Sequence, residues 1–312
     1  MKLRTMLAGA AGAVGATALA NRAIAGSVDE LDPGIYGAQH TYRWRGMDIE
    51  YTELGDADDP DLVLFHGVGA GASSREFAEI APALAEEYHV IAPDLPGFGR
   101  SDRPPLMYSA SLYEGFVTDF LRDMTDEPIV LASSLSGSYA VQAARDVDLS
   151  RLVLICPTDE SMPGRRVWLR SLLRAPLVGP AIRNAVTSKA GIRHFGADHG
   201  FFDENNITDE YVEYRWQASH QPGARYAMAS FISGFLDPEA SMEEHLGAID
   251  VPTTLVWGRE SETTPLSEGR VLADRADARL VVVDYAKLQP HVEHPDAVLT
   301  LLSDDLSLAQ TD

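Results

Sequence analysis

The chain has 312 residues, 45% of them hydrophobic, which is enough for one large α/β domain with an insertion. Acidic residues outnumber basic ones 47 to 25, for a formal net charge of -22, and only three residues are lysines. Such a surface repels nucleic acid and anionic lipid, and acidic charge spread along the chain is typical of a protein from a high-salt cell. The single cysteine, Cys156, excludes an internal disulfide and a cysteine-based metal site.

The N-terminal segment, residues 1–26, has Lys2 and Arg4, then an apolar run rich in alanine and glycine, then an A-x-A pattern ending at Ala25. This layout predicts a secretory signal peptide or an anchor, and so membrane association through residues 1–25. The alternative is a small-residue helix that packs on the domain or frays in solution. The segment has no twin-arginine pair, and export, anchoring and a cytoplasmic location all stay open.

The next stretches predict a sheet. Residues 39–53 alternate apolar and polar side chains around Arg45 and Gly46, which indicates an edge hairpin. Helical periodicity over residues 73–88, with Ser73 and Glu76 spaced as a capping box, and over residues 111–124 separates short apolar runs. Six such runs read as buried parallel strands: "DLVLFHG", "YHVIAPD", "PIVLASS", "RLVLICP", "PTTLVWG" and "ARLVVVD". The alternation predicts a doubly wound, mostly parallel α/β sheet.

The alternation stops after Pro157, and residues 158–250 carry helical patterns without a convincing strand. An insertion at the carboxyl edge of the sheet would roof the crevice where such folds bind ligands. We therefore predict an α/β core of residues 36–157 and 251–312 with a helical cap of residues 158–250. The chain has no phosphate-binding glycine loop. We predict no cofactor and no metal, and a small, apolar molecule as substrate or ligand.

A candidate nucleophile, Ser134, follows one of these predicted strands, with Ala132 and Ser136 two positions away on either side. A serine on a sharp strand-to-helix turn needs small residues at both places because the two backbones nearly touch. The N–H of Leu135, at the start of the next helix, could stabilise an oxyanion. The His-Gly turn in "VLFHGVGAG" places a second backbone donor near Val68.

Five motifs in this order resemble the α/β-hydrolase superfamily, in its cap-bearing branch: "HGVG" at 66–69, "DLPGFGRS" at 94–101, "SSLSG" at 133–137, "VPTTLVWG" at 251–258 and "PHVEHP" at 290–295. The resemblance runs from about Gln39 to Ser303. It implies cleavage of esters, amides, epoxides or carbon–halogen bonds without a cofactor. It also implies substrate contacts at His66, Gly67 and Ser133.

Two positions depart from the superfamily pattern. The family carries its triad acid at the last position of W-G-x-x-D, and this chain has Ser261 there. The motif G-H-x-P-x-x-E-x-P maps onto residues 287–295, where the histidine position is Leu288. A hydroxyl cannot replace a carboxylate that orients an imidazole, and an isobutyl group cannot accept a proton. Losing the base costs serine hydrolases on the order of a millionfold in turnover, roughly 8 kcal/mol.

Other residues could supply the missing groups. His291 follows Leu288 by three positions, but it also fits a helix start or a surface residue. His220 could reach down from the cap together with Arg225, or both could simply pack there. Asp159 follows the strand after the nucleophile, where some relatives carry their acid, but such a residue is more often a solvated charge than a catalytic partner.

Two functions therefore remain open. One is a hydrolase of a small ester-like substrate that uses Ser134 with a weakened triad. The other is a catalytically silent ligand-binding member of the fold, in which Leu288 lines an apolar cavity under the cap. Retention of Ser134 on a strained turn favours the enzyme, and loss of both partners favours the binding protein. The sequence does not indicate the oligomeric state.

Overall fold

The computed structural model describes residues 15–308, whose strands form one eight-stranded sheet in the order β1-β2-β4-β3-β5-β6-β7-β8. Strands β3 to β8 pair in parallel, and β1 and β2 form an antiparallel edge. The strands are β1 (Ala38–Trp44), β2 (Met47–Leu54), β3 (Asp61–Phe65), β4 (His89–Pro93), β5 (Ile129–Ser133), β6 (Arg151–Ile155), β7 (Thr253–Gly258) and β8 (Arg279–Val283). The doubly wound, mostly parallel sheet is confirmed.

The edge hairpin and the six apolar strands are where the sequence placed them. Arg45 at φ 45° and Gly46 at φ 86° make the turn between β1 and β2. Side chains of β3, β5 and β6 are almost entirely buried because helices cover both faces of the sheet. Helices α3 and α4 border one apolar layer, and the segment from Phe77 to Leu84 with the C-terminal helix borders the other.

The helices of the core are α1 (residues 15–25), α2 (Ala81–Leu84), α3 (Ala110–Met124), α4 (Leu135–Ala143), α11 (Leu266–Ala276), α12 (Pro290–Glu293) and α13 (Pro295–Leu306), with a 3-10 helix at Ser74–Phe77. The single helix expected over residues 73–88 is wrong, because the segment is divided into the 3-10 helix and α2. Pro82 lies at the start of α2, and its ring would clash with a preceding carbonyl if the helix were continuous.

Residues 158–250 form the helices α5 (Val167–Arg174), α6 (Val178–Val186), α7 (Lys189–Phe195), α8 (Asp209–His220), α9 (Arg225–Ile232) and α10 (Met242–Leu246), with a π turn at Gly196–Gly200 and a 3-10 turn at Glu204–Asn206. Arg215 of α8 donates to the carbonyl of Ala70 in the loop after β3, which joins this segment to the carboxyl edge of the sheet. The boundaries of core and cap stay a prediction.

Within the N-terminal segment, residues 1–14 lie outside the described residues, and residues 15–25 form α1. Asn21 of α1 donates to the carbonyl of Leu177 and accepts from Asn184, so this helix contacts α6 of the cap. Across residues 15–308, no helix combines the length and hydropathy required to cross a bilayer. The signal or anchor function stays a prediction, and the Asn21 contacts agree with the alternative of a helix packed on the domain.

Candidate active site

Ser134 occupies the turn between β5 and α4 in a strained conformation, with φ 53° and ψ -128°. Its N–H donates to the carbonyl of Ile155, at 2.9 Å, which holds the turn against the end of β6. A non-glycine residue in this region of φ/ψ space costs on the order of 1–3 kcal/mol. The serine is therefore held in place by its surroundings against a local conformational preference.

The small residues around Ser134 each have a structural reason. Ala132 is fully buried in β5. A side chain on Gly137 would come within 2.9 Å of Pro157, so α4 approaches the end of β6 too closely for anything larger. Ser136, where the superfamily usually has glycine, donates from its hydroxyl to the carbonyl of His66 at 2.6 Å. That hydrogen bond ties the turn to the loop after β3.

The loop after β3 is held by His66. The Leu95 N–H donates to its Nε2 at 3.0 Å, so the ring proton is on Nδ1, which donates to the carbonyl of Gly67 at 2.7 Å. Burial lowers the pKa of His66, so the ring is neutral. Within residues 15–308, the N–H groups of Val68 and Leu135 donate to no other residue. Both donors are therefore available to an incoming oxygen.

Ser261 and Leu288, which the sequence predicts at the acid and histidine positions of the triad, have other partners here. Ser261, three residues after β7, is 5% exposed, and its hydroxyl lies 3.0 Å from that of Thr264. Leu288 packs against an apolar cluster that includes Cys156, Trp257 and Leu266. In the described part of the chain, no imidazole makes a hydrogen bond to the Ser134 hydroxyl.

Two carboxylates fix the loop that carries Leu288. Glu260 accepts from the N–H of Ala286 at 3.0 Å. Glu293 accepts from the N–H of Lys287 at 2.9 Å through one oxygen and from Phe202 at 2.7 Å through the other. Hydrogen bonds to charged acceptors are stronger than neutral ones, so the backbone just before Leu288 is well defined.

Two of the candidate residues belong to the cap interior. The Nδ1 of His220 donates to the carbonyl of Trp216, at 2.7 Å, and the His220 ring stacks on the Trp216 indole. Burial lowers the pKa of His220 to about 4, so the ring is neutral at pH 7. Arg225 donates to the hydroxyl of Tyr226. The structure does not bring His220 to Ser134.

The candidate acid Asp159 has a structural partner. Its carboxylate accepts from the N–H of Met242 at 2.8 Å, at the first residue of α10. A carboxylate at that position stabilises the helix because it satisfies one of the free N–H groups and complements the helix dipole. With no imidazole bonded to it, Asp159 has no catalytic partner among the described residues.

His291 is fully buried at α12, so the surface alternative is wrong, whereas its place in a helix-start turn is confirmed. Its Nε2 lies 3.4 Å from Oε1 of Glu76, and its ring centroid lies 5.2 Å from that of Phe77. Neither ring nitrogen has an aligned hydrogen bond within residues 15–308. Of the candidate bases, His291 is the one with a carboxylate beside it.

Glu76 is the site residue that sequence reasoning missed. The capping box is wrong: Ser73 accepts from the N–H of Arg75, but the Glu76 carboxylate turns inward and accepts from the N–H of Gly67 at 2.8 Å. A side chain on Gly67 would meet Glu76 Oε2 at 3.3 Å, the Ser134 Cβ at 3.3 Å and the Ser133 Oγ at 3.4 Å. The absence of a side chain at Gly67 therefore lets a carboxylate and two serines converge.

The electrostatics keep Glu76 ionised. Burial alone would raise the pKa of its carboxyl, but interactions with His291 and with the Ser133 hydroxyl outweigh burial and hold the pKa at about 2. By contrast, burial raises the pKa of the Cys156 thiol to about 12, so that thiol is protonated and unreactive. A fixed negative charge therefore lies next to the turn that carries Ser134.

A cavity of about 360 Å³ lies between the segment after β3 and the cap. Its wall includes Glu76, Arg75, Tyr211, Arg215 and Gln289, and neither Ser134 nor Leu288 is part of it. The lining is more polar than the apolar pocket that the sequence predicted. Among residues 15–308, no cluster of three or more histidine, cysteine, aspartate and glutamate side chains is arranged to hold a metal ion.

Comparison with known proteins agrees with this geometry. Residues 62–301 match the model of the Alpha/beta hydrolase family. A 2-hydroxymuconate semialdehyde hydrolase of Pseudomonas sp. (strain CF600) is 29% identical over 80% of this chain and 87% of its own length. A 2-hydroxy-6-oxo-6-phenylhexa-2,4-dienoate hydrolase of Burkholderia cepacia is 27% identical over 86% of this chain and 95% of its own.

Solved structures give the same result. A variant of the meta-cleavage product hydrolase of Pseudomonas fluorescens IP01, complexed with acetates, is 25% identical, with a TM-score of 0.70 over 87% of this chain and 98% of that chain. The family model covers most of the chain, including the strand before the His-Gly turn, the Ser134 turn and the loop around Leu288. The chain therefore belongs to the α/β-hydrolase family.

Proposed function

We propose that this protein is a serine hydrolase that cleaves a small activated carbonyl compound, such as an ester, through Ser134. The observation that carries the proposal is the conformation of Ser134, which is kept at φ 53° although relaxation of that turn would stabilise the fold. A strained serine at the end of a parallel strand is the arrangement that exposes a hydroxyl to a substrate above the sheet.

The relatives support a carbonyl substrate. By their names, they hydrolyse compounds that carry an aldehyde or ketone group, a semialdehyde in one case and an oxo-dienoate in the other. A carbon–carbon bond next to such a carbonyl is therefore a second bond type to test beside the ester.

The chemistry follows from the donors around Ser134. Its Oγ attacks the carbonyl carbon, and the negative charge that develops on the carbonyl oxygen is stabilised by the N–H groups of Val68 and Leu135. The N-terminus of α4 adds a favourable dipole. Because Leu288 offers no proton acceptor, turnover is expected to be slow compared with an intact triad, although oxyanion donors alone retain about 10³–10⁴ over water.

A silent ligand-binding protein is the second candidate. Ser261 and Leu288 are both integrated into the packing, one by a hydroxyl contact to Thr264 and the other by an apolar cluster. A protein that had lost its chemistry could keep the cap and the cavity to hold a small molecule.

The ester assay separates the two candidates. Wild type, Ser134→Ala and the control Ser150→Ala, which alters an exposed serine, are assayed in high salt on a panel of small esters and carbonyl compounds. We expect slow turnover by wild type and Ser150→Ala, and its loss in Ser134→Ala. Equal silence in all three, with binding of panel compounds in a thermal-shift assay, would establish the ligand-binding alternative.

A further inference from the structure

We propose that the outer face of α5 in the cap is a docking surface for an anionic lipid bilayer, which the protein binds without crossing it. This α5 face consists of Val167, Trp168 and Leu172, with Arg166 at the start of the helix. The docking surface goes beyond the proposed hydrolase function and does not depend on a working Ser134.

Three large apolar side chains of α5 are in contact with solvent. Trp168 is 65% exposed, Val167 62% and Leu172 38%. Residues four apart lie on the same side of a helix, so Trp168 and Leu172 are neighbours, and Val167 adjoins Trp168. A single exposed apolar residue is ordinary, but a group of them bordered by polar residues marks a site of contact with a membrane or a partner.

The arginines of α5 pack against aromatic rings of the cap. The guanidinium of Arg170 lies 3.4 Å from the centroid of the Phe235 ring, and that of Arg174 lies 4.7 Å from the centroid of the Tyr226 ring. A surface helix usually turns its charged side chains to water and its apolar side chains to the core. In α5, two cations contact the rest of the cap, while the largest apolar side chain, Trp168, faces outward.

The charge around α5 is opposite to that of the whole chain. About one residue in seven of the chain is acidic, but residues 161–197 contain no acidic residue and seven arginines and lysines. Three of the seven are paired with acidic residues from other segments: Arg165 with Glu239, Lys189 with Glu213 and Arg193 with Asp209. Within residues 15–308, Arg166, Arg170 and Arg174 form no ion pair with a carboxylate. This local positive charge complements anionic headgroups, although the net charge of the chain repels them.

Neighbouring segments add apolar side chains next to the α5 face. Arg174 donates to the carbonyl of Leu106 at 2.5 Å, in a loop where Leu106 and Met107 are both exposed. Val178, also exposed, begins α6 four residues after the end of α5. Tryptophan and leucine beside arginine are typical of helices that lie in the interface of a bilayer, where the indole ring sits at the level of the headgroups.

The N-terminal segment meets the cap at the same place. Asn21 of α1 donates to the carbonyl of Leu177, between α5 and α6. The 14 residues before α1 lie outside the described residues, and their sequence has Lys2 and Arg4, many apolar residues and no acidic one. A basic and apolar segment that joins the fold beside α5 favours a lipid surface as the occupant of the α5 face.

The first test is co-sedimentation of the full chain with vesicles, either equal parts phosphatidylglycerol and phosphatidylcholine or phosphatidylcholine alone. We expect wild type to prefer the anionic vesicles. Trp168→Gln with Leu172→Gln should weaken binding to both kinds at least about tenfold, because the apolar side chains no longer insert. Arg166→Glu should weaken binding to the anionic vesicles alone, at least about fivefold.

Matched controls make the same kinds of change at exposed positions of core helices. Val271→Gln with Leu301→Gln changes two apolar residues of α11 and α13, and Arg270→Glu reverses one charge of α11. These controls should bind both kinds of vesicle as tightly as wild type does.

A second measurement reports on α5 even if the N-terminal segment holds every variant on the vesicles. A polarity-sensitive fluorophore is attached to Trp168→Cys; the single natural cysteine, Cys156, is buried and does not compete for the label. On anionic vesicles, we expect the emission to shift to shorter wavelength and to be quenched by lipids with a nitroxide on the acyl chain. The same label on Ser150→Cys, at an exposed position, should show neither effect.

Quenching at position 168 supports the docking surface even when all variants bind with equal affinity. A label at position 168 that is not quenched in vesicle-bound protein refutes it, and so does a wild-type protein that binds neither kind of vesicle. The α5 variants are also examined by analytical ultracentrifugation without lipid. If they dissociate an oligomer and the label is not quenched, the α5 face joins two copies of the chain and the lipid proposal is overturned.

Discussion

Replacing Ser134 with glycine should stabilise the protein. At φ 53° and ψ -128° the serine carries a strain of about 1–3 kcal/mol, which glycine does not. Glycine also lowers the free energy of unfolding by about 0.5–1 kcal/mol, because the unfolded chain has more conformational freedom with glycine at this position. The hydroxyl makes no hydrogen bond to another described residue, so its removal has little effect on the free energy of unfolding. The net expectation is a gain of about 1 kcal/mol in the free energy of unfolding.

The assay is urea unfolding in high salt, with Ser134→Ala as the matched control. Alanine keeps the strained backbone and removes the same hydroxyl, so its stability should equal that of wild type within about 0.5 kcal/mol. Because glycine differs from alanine only by the methyl group, the comparison contains the backbone strain and the smaller, opposing entropy of the unfolded chain. If Ser134→Gly is no more stable than Ser134→Ala, the turn is relaxed and the argument that function maintains it is wrong.

Three further predictions concern the residues considered as partners of Ser134 and the carboxylate beside its turn. Leu288→His combined with Ser261→Asp should raise ester turnover at least about tenfold over wild type, because a positioned base contributes about 10²–10⁴ in rate. The size-matched control pair, Leu288→Gln with Ser261→Asn, should give no such increase. If the first pair also gives no increase, this loop does not face Ser134. The pKa of Glu76, about 2, lies below its ordinary value of 4.5. The ionised carboxylate therefore stabilises the folded protein fully above about pH 4.5, and this stabilisation is lost as the pH falls from 4.5 toward 2. The free-energy difference in urea unfolding between wild type and Glu76→Gln should therefore shrink by about 2 kcal/mol between about pH 6 and about pH 3, and a constant difference would contradict the buried charge. The imidazole of His220, followed by NMR, should titrate with a midpoint near pH 4 and should be neutral at pH 6.5. A midpoint near the ordinary value of 6.5 would show that its surroundings in the cap are open to water.

Much of the fold could be predicted because it depends on local patterns. In the hairpin around Arg45 and Gly46, apolar and polar side chains alternate because successive residues face opposite sides of the sheet. In the buried strands both sides face the core, which gives short continuous apolar runs. Both patterns can be seen in a single sequence. The break at Pro82 was also readable in principle, since proline cannot continue a helix, but the strong periodicity on both sides concealed it.

The site was harder to predict because its contacts are not local. Ser73 and Glu76 satisfy the spacing of a capping box, yet the carboxylate finds a backbone N–H at Gly67 and an imidazole at His291. His291 lies far along the chain and reaches Glu76 only because the loops after β3 and β8 meet at one edge of the sheet. One sequence signal was available, the glycine after His66, because glycine is used where other groups approach the backbone closely.

The central claim is that Ser134 is a working nucleophile, and covalent capture tests it most directly. Wild-type protein is incubated with a serine-directed fluorophosphonate, digested and mapped by mass spectrometry. The account predicts one adduct, on Ser134, that forms only in the folded protein. An adduct on a different residue, or no adduct at all from a protein that hydrolyses esters, would contradict it.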